Sequence, residues 1–208
     1  MSEWIDLSVK IKKANLVYPG DEPLELKKVK SLSEDGFNLH QLNINMHLGT
    51  HIDFKNHVST KENDIIFEDF LGKANVIRPE ILNNVISTED VEDKYLNLRY
   101  QERILILDLH HYYKFNTKSY YECPKFEPSI FRFLEDNNIN VLGADIPDFS
   151  YFNDHELKMH KDLLKSDIYL IENLTNLSQL TSHIYLVALP LEIEGVEASL
   201  VRAIAKNI

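Results

Sequence analysis

Three histidines and one aspartate lie close together in the segment His47–His57, in the pattern HxxxHxDxxxH that His47, His51, Asp53 and His57 form. Imidazole nitrogens and carboxylate oxygens are the ligands of catalytic Zn²⁺ sites, which keep a further position open for water. A helix cannot bring these side chains together. At about 100° per residue, Asp53 would lie roughly 160° around the helix from His51. The pattern therefore predicts a metal site on a non-helical part of the chain.

The residues around this cluster alternate between apolar and polar types from Leu42 to Phe54, which predicts a strand with one buried face. A straight strand would separate His47 and His51 by about 13 Å. Ligand bonds of about 2.0–2.1 Å cannot span that distance at one metal. We therefore expect the strand to end near His47 and the chain to fold back through Gly49-Thr50, since glycine adopts backbone conformations that other residues resist. The alternative is a row of surface histidines on a polar strand face.

Two residues far along the chain are candidates for the remaining ligands. His160 shares the apolar face of a helix predicted over 154–166 with Leu157 and Leu164. Glu172 directly follows the apolar run DIYLI, which predicts a buried strand. A carboxylate that emerges from such a strand needs a partner, and sites in α/β proteins gather at strand ends. Each residue also has a structural interpretation, His160 as a packed core histidine and Glu172 as a cap.

The rest of the sequence predicts the elements that must position these residues. One helix is predicted over Pro128–Asn137, with proline at its first position. Further strands are predicted at Trp4–Ser8, Arg103–Leu109, Asn140–Ala144, Asp167–Ile171 and Ile184–Ala188. Strands separated by only a few helices indicate an α/β protein with a mixed sheet. A chain of 208 residues is long enough for one domain with a substantial core.

Composition excludes several classes of function. The 22 basic and 33 acidic residues give a net charge of −11, which disfavours nucleic acid and anionic membranes as partners. The single cysteine, Cys123, allows neither an intrachain disulfide nor a zinc site built from cysteines. No glycine-rich phosphate loop and no Gly-x-Ser-x-Gly elbow is present. With no apolar leader or transmembrane segment in the sequence, we expect a cytoplasmic protein.

The segment HLGTHIDFKNH resembles the HxGTHxDxPxH signature of the metal-dependent cyclase/hydrolase superfamily, which includes bacterial kynurenine formamidase. The segments WIDLS, YPGD and HKDLLKSDIYLIENLTNL are also similar to parts of that family, so the resemblance covers nearly the whole chain. It implies one domain over residues 1–208 with a swivelling β/β/α fold.

The resemblance also implies roles for individual residues. A first metal would be bound by His47, His51 and Asp53, and Asp53 would bridge to a second metal bound by His160 and Glu172. His57 matches the catalytic acid/base, and Tyr18 matches an aromatic residue of the substrate pocket. Histidines and carboxylates suit one or two Zn²⁺ per chain, with Mn²⁺ as the alternative. The family further implies a homo-oligomer, a dimer or a tetramer.

The reaction implied is hydrolysis of a small amide by a metal-activated water, with His57 transferring the proton. The first candidate substrate is an N-formyl arylamine such as N-formylkynurenine, an intermediate of tryptophan catabolism. Another cyclic amide or a lactone remains open, as does a non-catalytic protein that binds a metal or a small molecule. A cysteine hydrolase is poorly supported, because a lone cysteine such as Cys123 is usually a packing residue.

Three positions depart from the family pattern: Lys55 replaces a proline of the signature, Asp108-Leu109-His110 replaces a turn, and Leu200 replaces a proline. We expect Lys55 and the segment after Asp108 to make the substrate pocket less apolar. Asp145, which follows the predicted strand Asn140–Ala144, is interpreted as a turn cap rather than a site residue.

Overall fold

The computed structural model describes residues 3–60 and 65–208. In chain order the strands of this part are β1 (Ile5–Asp6), β2 (Glu25–Lys30), β3 (Leu39–Asn43), β4 (His51–Asp53), β5 (Leu71–Ile77), β6 (Ile81–Leu82), β7 (Val85–Ile86), β8 (Ile104–Leu107), β9 (Lys125–Phe126), β10 (Val141–Ala144), β11 (Tyr169–Glu172), β12 (His183–Val187), β13 (Ala198–Leu200) and β14 (Ile204–Asn207). The helices are α1 (Leu32–Asp35), α2 (Thr88–Leu96), α3 (Ile130–Asp136) and α4 (Lys158–Lys165).

A nine-stranded mixed sheet carries the fold, in the order β1-β14-β12-β5-β8-β10-β11-β4-β13. The central strands β5, β8, β10 and β11 run parallel to their neighbours within this group, and the outer pairs are antiparallel. The prediction of an α/β domain with a mixed sheet is confirmed. Among the described residues, no helix is both long enough and apolar enough to cross a membrane.

The two faces of the sheet bury two separate apolar clusters, as the period-2 alternation of a strand requires. On β8, Leu105 and Leu107 pack into the cluster that α2, α3 and α4 cover, whereas Ile104 and Ile106 belong to the opposite cluster. Gly143 of β10 lies on the second face, where a Cβ atom would be 2.6 Å from Ile106 Cδ1. Any larger residue at this position would force the buried Ile106 side chain to shift.

The strands β2 and β3 form a separate two-stranded ribbon, and every one of their residues is exposed. A cross-strand pair on this ribbon, Leu26 opposite Leu42, leaves 47% and 52% of the two leucines accessible to solvent. An isolated two-stranded ribbon is marginally stable in water at best.

The alternating segment from Leu42 to Phe54 is not one strand, which corrects the sequence prediction. Strand β3 ends at Asn43, a turn follows, and β4 begins only at His51. The Asn45 side chain accepts a hydrogen bond from the His47 backbone nitrogen (2.8 Å) and so favours the turn over further pairing. The expectation that the chain folds back before His51 is confirmed, although the break comes earlier than predicted.

Helix α4 is shorter than the predicted helix over 154–166. Its first residue is Lys158, because Asp154 caps it by accepting from the backbone nitrogens of Lys158 (2.9 Å) and Met159 (3.1 Å). Leu157 precedes the helix in a left-handed conformation and is 46% exposed, so its predicted place on the apolar face is wrong. Helix α3 likewise starts two residues after Pro128, whereas the other predicted strands occur with ends shifted by at most two residues.

Candidate metal centre and active site

Strand β4 places two of the predicted ligands on the same side of the sheet. It pairs antiparallel with β11, and this register sets His51 opposite Glu172. His51 and Asp53 alternate with Ile52 and Phe54, which are fully buried in the cluster on the other face of the sheet. The apolar residues therefore anchor the strand, and the odd-numbered side chains point toward α4.

The turn before β4 brings His47 back toward His51. Gly49 has a φ of +86°, and a Cβ atom there would lie 3.1 Å from the side chain of Ile11. Asn173 holds this turn, because its amide donates to the Gly49 carbonyl (3.0 Å) and its own carbonyl accepts from Thr50 Oγ1 (2.6 Å). The rings of His47 and His51 are consequently 4.9 Å apart, far closer than a straight strand would allow.

The five predicted metal ligands converge on one point. Asp53 Oδ1 lies 3.0 Å from His47 Nδ1 and 3.2 Å from His51 Nε2, while its other oxygen lies 3.4 Å from His160 Nε2. The two oxygens of Glu172 also face different histidines. Oε2 lies 3.4 Å from His51 Nε2, and Oε1 lies 3.4 Å from His160 Nε2. The two oxygens of each carboxylate thus face nitrogens of different histidines.

The contacts of these atoms fit a bound cation better than they fit hydrogen bonds. Asp53 Oδ1 and Glu172 Oε1 are buried, and within the described residues neither has a hydrogen-bond partner despite the short distances, so the angles are wrong for hydrogen bonds. His47 Nδ1 and His51 Nε2 also face each other at 3.1 Å. Buried polar atoms that lack hydrogen bonds require another partner. A divalent metal supplies that partner for nitrogen and carboxylate atoms arranged in this way.

The pKa values of the cluster residues reflect the negative charge of its two buried carboxylates. Burial would raise the pKa of Asp53, but His51, His160 and His47 outweigh burial and hold the pKa well below its ordinary value. Burial lowers the pKa of His51, yet Asp53 and Glu172 raise it to about 9. Burial and the charge of Asp53 raise the pKa of Glu172. Two buried carboxylates that raise the pKa of a neighbouring histidine form a negatively charged cluster that is suited to a cation.

The outer nitrogens of two predicted ligand histidines face neighbouring polar groups. His51 Nδ1 donates to the Gly49 carbonyl (2.9 Å), which directs Nε2 into the cluster. His47 Nε2 lies 3.5 Å from Glu197 Oε1. Such outer partners fix the ligating nitrogen of a metal-bound histidine. Sequence reasoning missed Glu197 because no local pattern connects it to the histidine cluster.

His57 lies at the end of a single 3-10 turn, Lys55–His57, that follows β4 directly. Its ring centroid is 4.7 Å from that of His47 and 5.7 Å from that of His160. Burial, together with the charges of His47 and His160, lowers the pKa of His57, so the ring is neutral at pH 7. A ligand atom of His57 also lies within 4.8 Å of ligand atoms of His47 and Asp53. The position suits either a proton carrier or a fourth metal ligand.

A cavity of about 200 Å³ opens above the cluster, and His47, Asp53, His57, His160 and Glu172 form its floor. Aromatic and apolar side chains form much of the wall, namely Leu16, Tyr18, Phe115, Tyr120, Tyr121 and Leu157. Tyr18, the predicted pocket residue, makes an edge-to-face contact with Tyr121 at a centroid distance of 5.6 Å. Phe115, Tyr121 and Asp148 were not predicted, since they come from loops without a recognisable motif.

The residues that depart from the family pattern do not line this cavity, which corrects the expectation of a less apolar pocket. Lys55 Nζ forms an ion pair with Asp167 instead. Asp108 is buried and accepts from Arg78 Nε (2.9 Å). Asp145 accepts from the backbone nitrogens of Leu109 (2.9 Å), His111 (2.5 Å) and Tyr112 (3.0 Å). Asp145 thus caps a turn, as interpreted, but the turn is the one that follows β8 rather than the one in its own segment.

Cys123 is buried, and burial raises the pKa of its thiol to about 12. A thiol in this state is a poor nucleophile because the thiolate is the reactive form. The interpretation of this cysteine as a packing residue is confirmed.

Comparisons with known proteins identify the family of the chain. A family model described as putative cyclase matches residues 5–150. The chain is 30% identical over 212 residues to a kynurenine formamidase of Bacillus cereus, an alignment that covers 100% of this chain and 99% of that protein.

Solved structures share the fold. An isatin hydrolase bound to the product analogue thioisatinate superposes with a TM-score of 0.84 at 17% identity, covering 98% of this chain and 91% of that one. A predicted metal-dependent hydrolase from Bacillus stearothermophilus has a TM-score of 0.80 at 19% identity, with 97% of each chain covered.

Proposed function

Because the chain belongs to the putative cyclase family and is a hydrolase of that family, we propose that it hydrolyses a small amide in a metal-dependent reaction. The first candidate substrate is an N-formyl arylamine such as N-formylkynurenine, since relatives that match the whole chain are named for that activity. The observation that carries the proposal is the convergence of three histidines and two buried carboxylates beneath a cavity walled by aromatic side chains.

The metal ligands in this proposal are His47, His51, Asp53, His160 and Glu172. Their two carboxylates each face two sets of nitrogens, which supports one or two metals per chain. The mixture of imidazole and carboxylate suits Zn²⁺, with Mn²⁺ as the alternative. A divalent metal bound there supplies a Lewis acid and lowers the pKa of water to about 7.

His57 is the proton carrier in this proposal. Its neutral ring borders the cavity floor and can accept a proton from the attacking water. The water oxygen bonds to the formyl carbon and the carbon–nitrogen bond breaks. His57 then returns the proton to the departing nitrogen, so an arylamine and formic acid leave, and the acid releases its proton to solvent to become formate. General acid–base catalysis of this kind contributes about 10²–10⁴-fold in rate.

The aromatic residues of the cavity wall support the proposal of an aromatic substrate. Tyr18 and Tyr121 meet edge to face at the wall, so a planar ring can pack against them. Phe115 lies on the same wall. The formamide of such a substrate would point toward the cavity floor, where the proton carrier and the proposed metal ligands lie.

A substrate panel tests this proposal alongside metal analysis of the purified protein. We expect between one and two divalent metals per chain and turnover of N-formylkynurenine with a kcat/KM above about 10⁴ M⁻¹s⁻¹. Faster hydrolysis of a cyclic amide such as isatin, or of a lactone, would replace the substrate while keeping the class of reaction. Metal without turnover of any of these would indicate a non-catalytic binding protein.

A further inference from the structure

His160 is the proposed ligand histidine whose outer nitrogen has no hydrogen-bond partner among the described residues. Its side chain is 4% exposed, and its Nε2 faces Asp53 and Glu172. Its Nδ1 is buried and makes no hydrogen bond with the described residues. The outer nitrogens of His51 and His47, by contrast, face the Gly49 carbonyl and the Glu197 carboxylate. A buried nitrogen without a partner is costly and needs an explanation.

The carboxylate of Asp148 is the group placed to serve that nitrogen. Its Oδ1 lies 4.0 Å from His160 Nδ1, which is about 1 Å longer than a hydrogen bond. The carboxylate is itself held from behind, since Oδ2 accepts from Ser150 Oγ (2.8 Å) and Lys125 Nζ (3.1 Å). Lys125 also donates to Ser150 Oγ, so the three side chains form a closed network.

We propose that Asp148 is a positioning residue for the metal centre, which accepts the Nδ1 proton of His160 and thereby fixes Nε2 as the ligating atom. Lys125 and Ser150 orient Asp148 in turn. A histidine that donates its outer nitrogen to a carboxylate is held in one tautomer and is a more basic metal ligand. The inference rests on the proposed function, since it requires His160 to bind the metal.

The test measures metal affinity rather than catalysis. Purified full-length protein is stripped of metal and titrated with Co²⁺ against a competing chelator, and its visible absorption is recorded when loaded. We expect Asp148→Ala to weaken Co²⁺ binding by about 10–100-fold and to shift the absorption bands. Asp148→Asn should lose less affinity, because its amide oxygen can still accept the Nδ1 proton.

Asp21→Ala is the matched control, because Asp21 lines the same cavity and the substitution removes the same charge. An equal loss of Co²⁺ affinity in Asp21→Ala and Asp148→Ala would overturn the proposal, because the effect would then be one of overall charge. Unchanged affinity and an unchanged spectrum in Asp148→Ala would overturn it as well.

Two further outcomes are decisive. If Asp148→Ala does not fold, Lys125→Met serves instead, since it releases the carboxylate from its ammonium partner. It should shift the absorption bands relative to the unaltered chain, and an unshifted spectrum would contradict the proposal. If the unaltered chain binds no Co²⁺, both the proposed function and this inference fail. If the unaltered chain binds Co²⁺ and the Asp148 variants bind it with the same affinity and spectrum, this inference fails and the proposed function is unaffected.

Discussion

Removal of the metal should lower the thermal stability of the protein. The size of the decrease depends on the free metal concentration relative to Kd. The ligands come from the turn before β4, from β4 itself, from α4 and from the end of β11, so only the folded chain brings them together. A metal that binds the native state alone stabilises it by mass action, by about 2.7 kcal/mol at a free concentration of 100 times Kd and about 4.1 kcal/mol at 1,000 times Kd. For a chain of this size, each kcal/mol corresponds to about 2–4 °C in Tm.

The expected increase in Tm on adding the metal back to stripped protein is therefore about 5–16 °C, measured by scanning calorimetry at fixed pH. His51→Ala should abolish most of this increase, because His51 is buried between Asp53 and Glu172. His40→Ala is the control, since His40 is exposed on β3 and should leave the increase unchanged. An increase in His51→Ala as large as in the unaltered chain would refute the assignment of this histidine.

Three other expectations follow from particular contacts. Gly143→Ala should lower the free energy of unfolding by about 1–3 kcal/mol through overpacking, partly offset by about 0.4–1 kcal/mol from the lower entropy of the unfolded chain. The net loss should appear as a lower midpoint in urea unfolding, and a midpoint equal to or above that of the unaltered chain would contradict this prediction. Lys55→Met should leave the ratio of kcat/KM for two substrates unchanged, because Lys55 pairs with Asp167 away from the cavity; a changed ratio would restore Lys55 to the pocket. We also propose that the exposed pair of Leu26 and Leu42 contacts a second copy of the chain. Light scattering should then show a dimer or tetramer that Leu42→Glu weakens, and a monomeric unaltered chain would contradict this proposal.

The parts of the site that the sequence predicts are those that a local pattern encodes. The alternation of Ile52 and Phe54 with His51 and Asp53 marks which side chains are buried in the core and which face the site. The glycine between two histidines predicts the fold-back, because only a turn brings both rings to one metal. The binding of a metal by these residues stays a prediction.

The parts that could not be predicted depend on contacts between distant segments. Asn173 holds the turn at Gly49 through hydrogen bonds that no spacing in the sequence announces. The cavity wall combines Tyr18 with Tyr121 and Asp148, which come from separate loops. The expectation for Lys55 was wrong for the same reason, since its partner Asp167 lies far along the chain. The location in the cytoplasm and the single domain over residues 1–208 stay predictions.

In the proposed site, the residues that bind the metal differ from the residue that transfers the proton. His51 is assigned to the metal, because its Nε2 faces both carboxylates and its other nitrogen is tied to a backbone carbonyl. His57 is assigned to the proton, because burial keeps its ring neutral and it borders the cavity. The alternative makes His57 a fourth ligand, which its position near His47 and Asp53 permits.

Metal content and hydrolysis rate, measured on the same purified samples of the unaltered chain, His51→Ala and His57→Ala, decide between these assignments. We predict that His51→Ala loses metal and rate together. We predict that His57→Ala keeps the metal content of the unaltered chain and loses about 10²–10⁴-fold in rate. Joint loss of metal and rate in His57→Ala would contradict its role as the proton carrier, and full activity in an unaltered chain without metal would contradict the metal-dependent reaction itself.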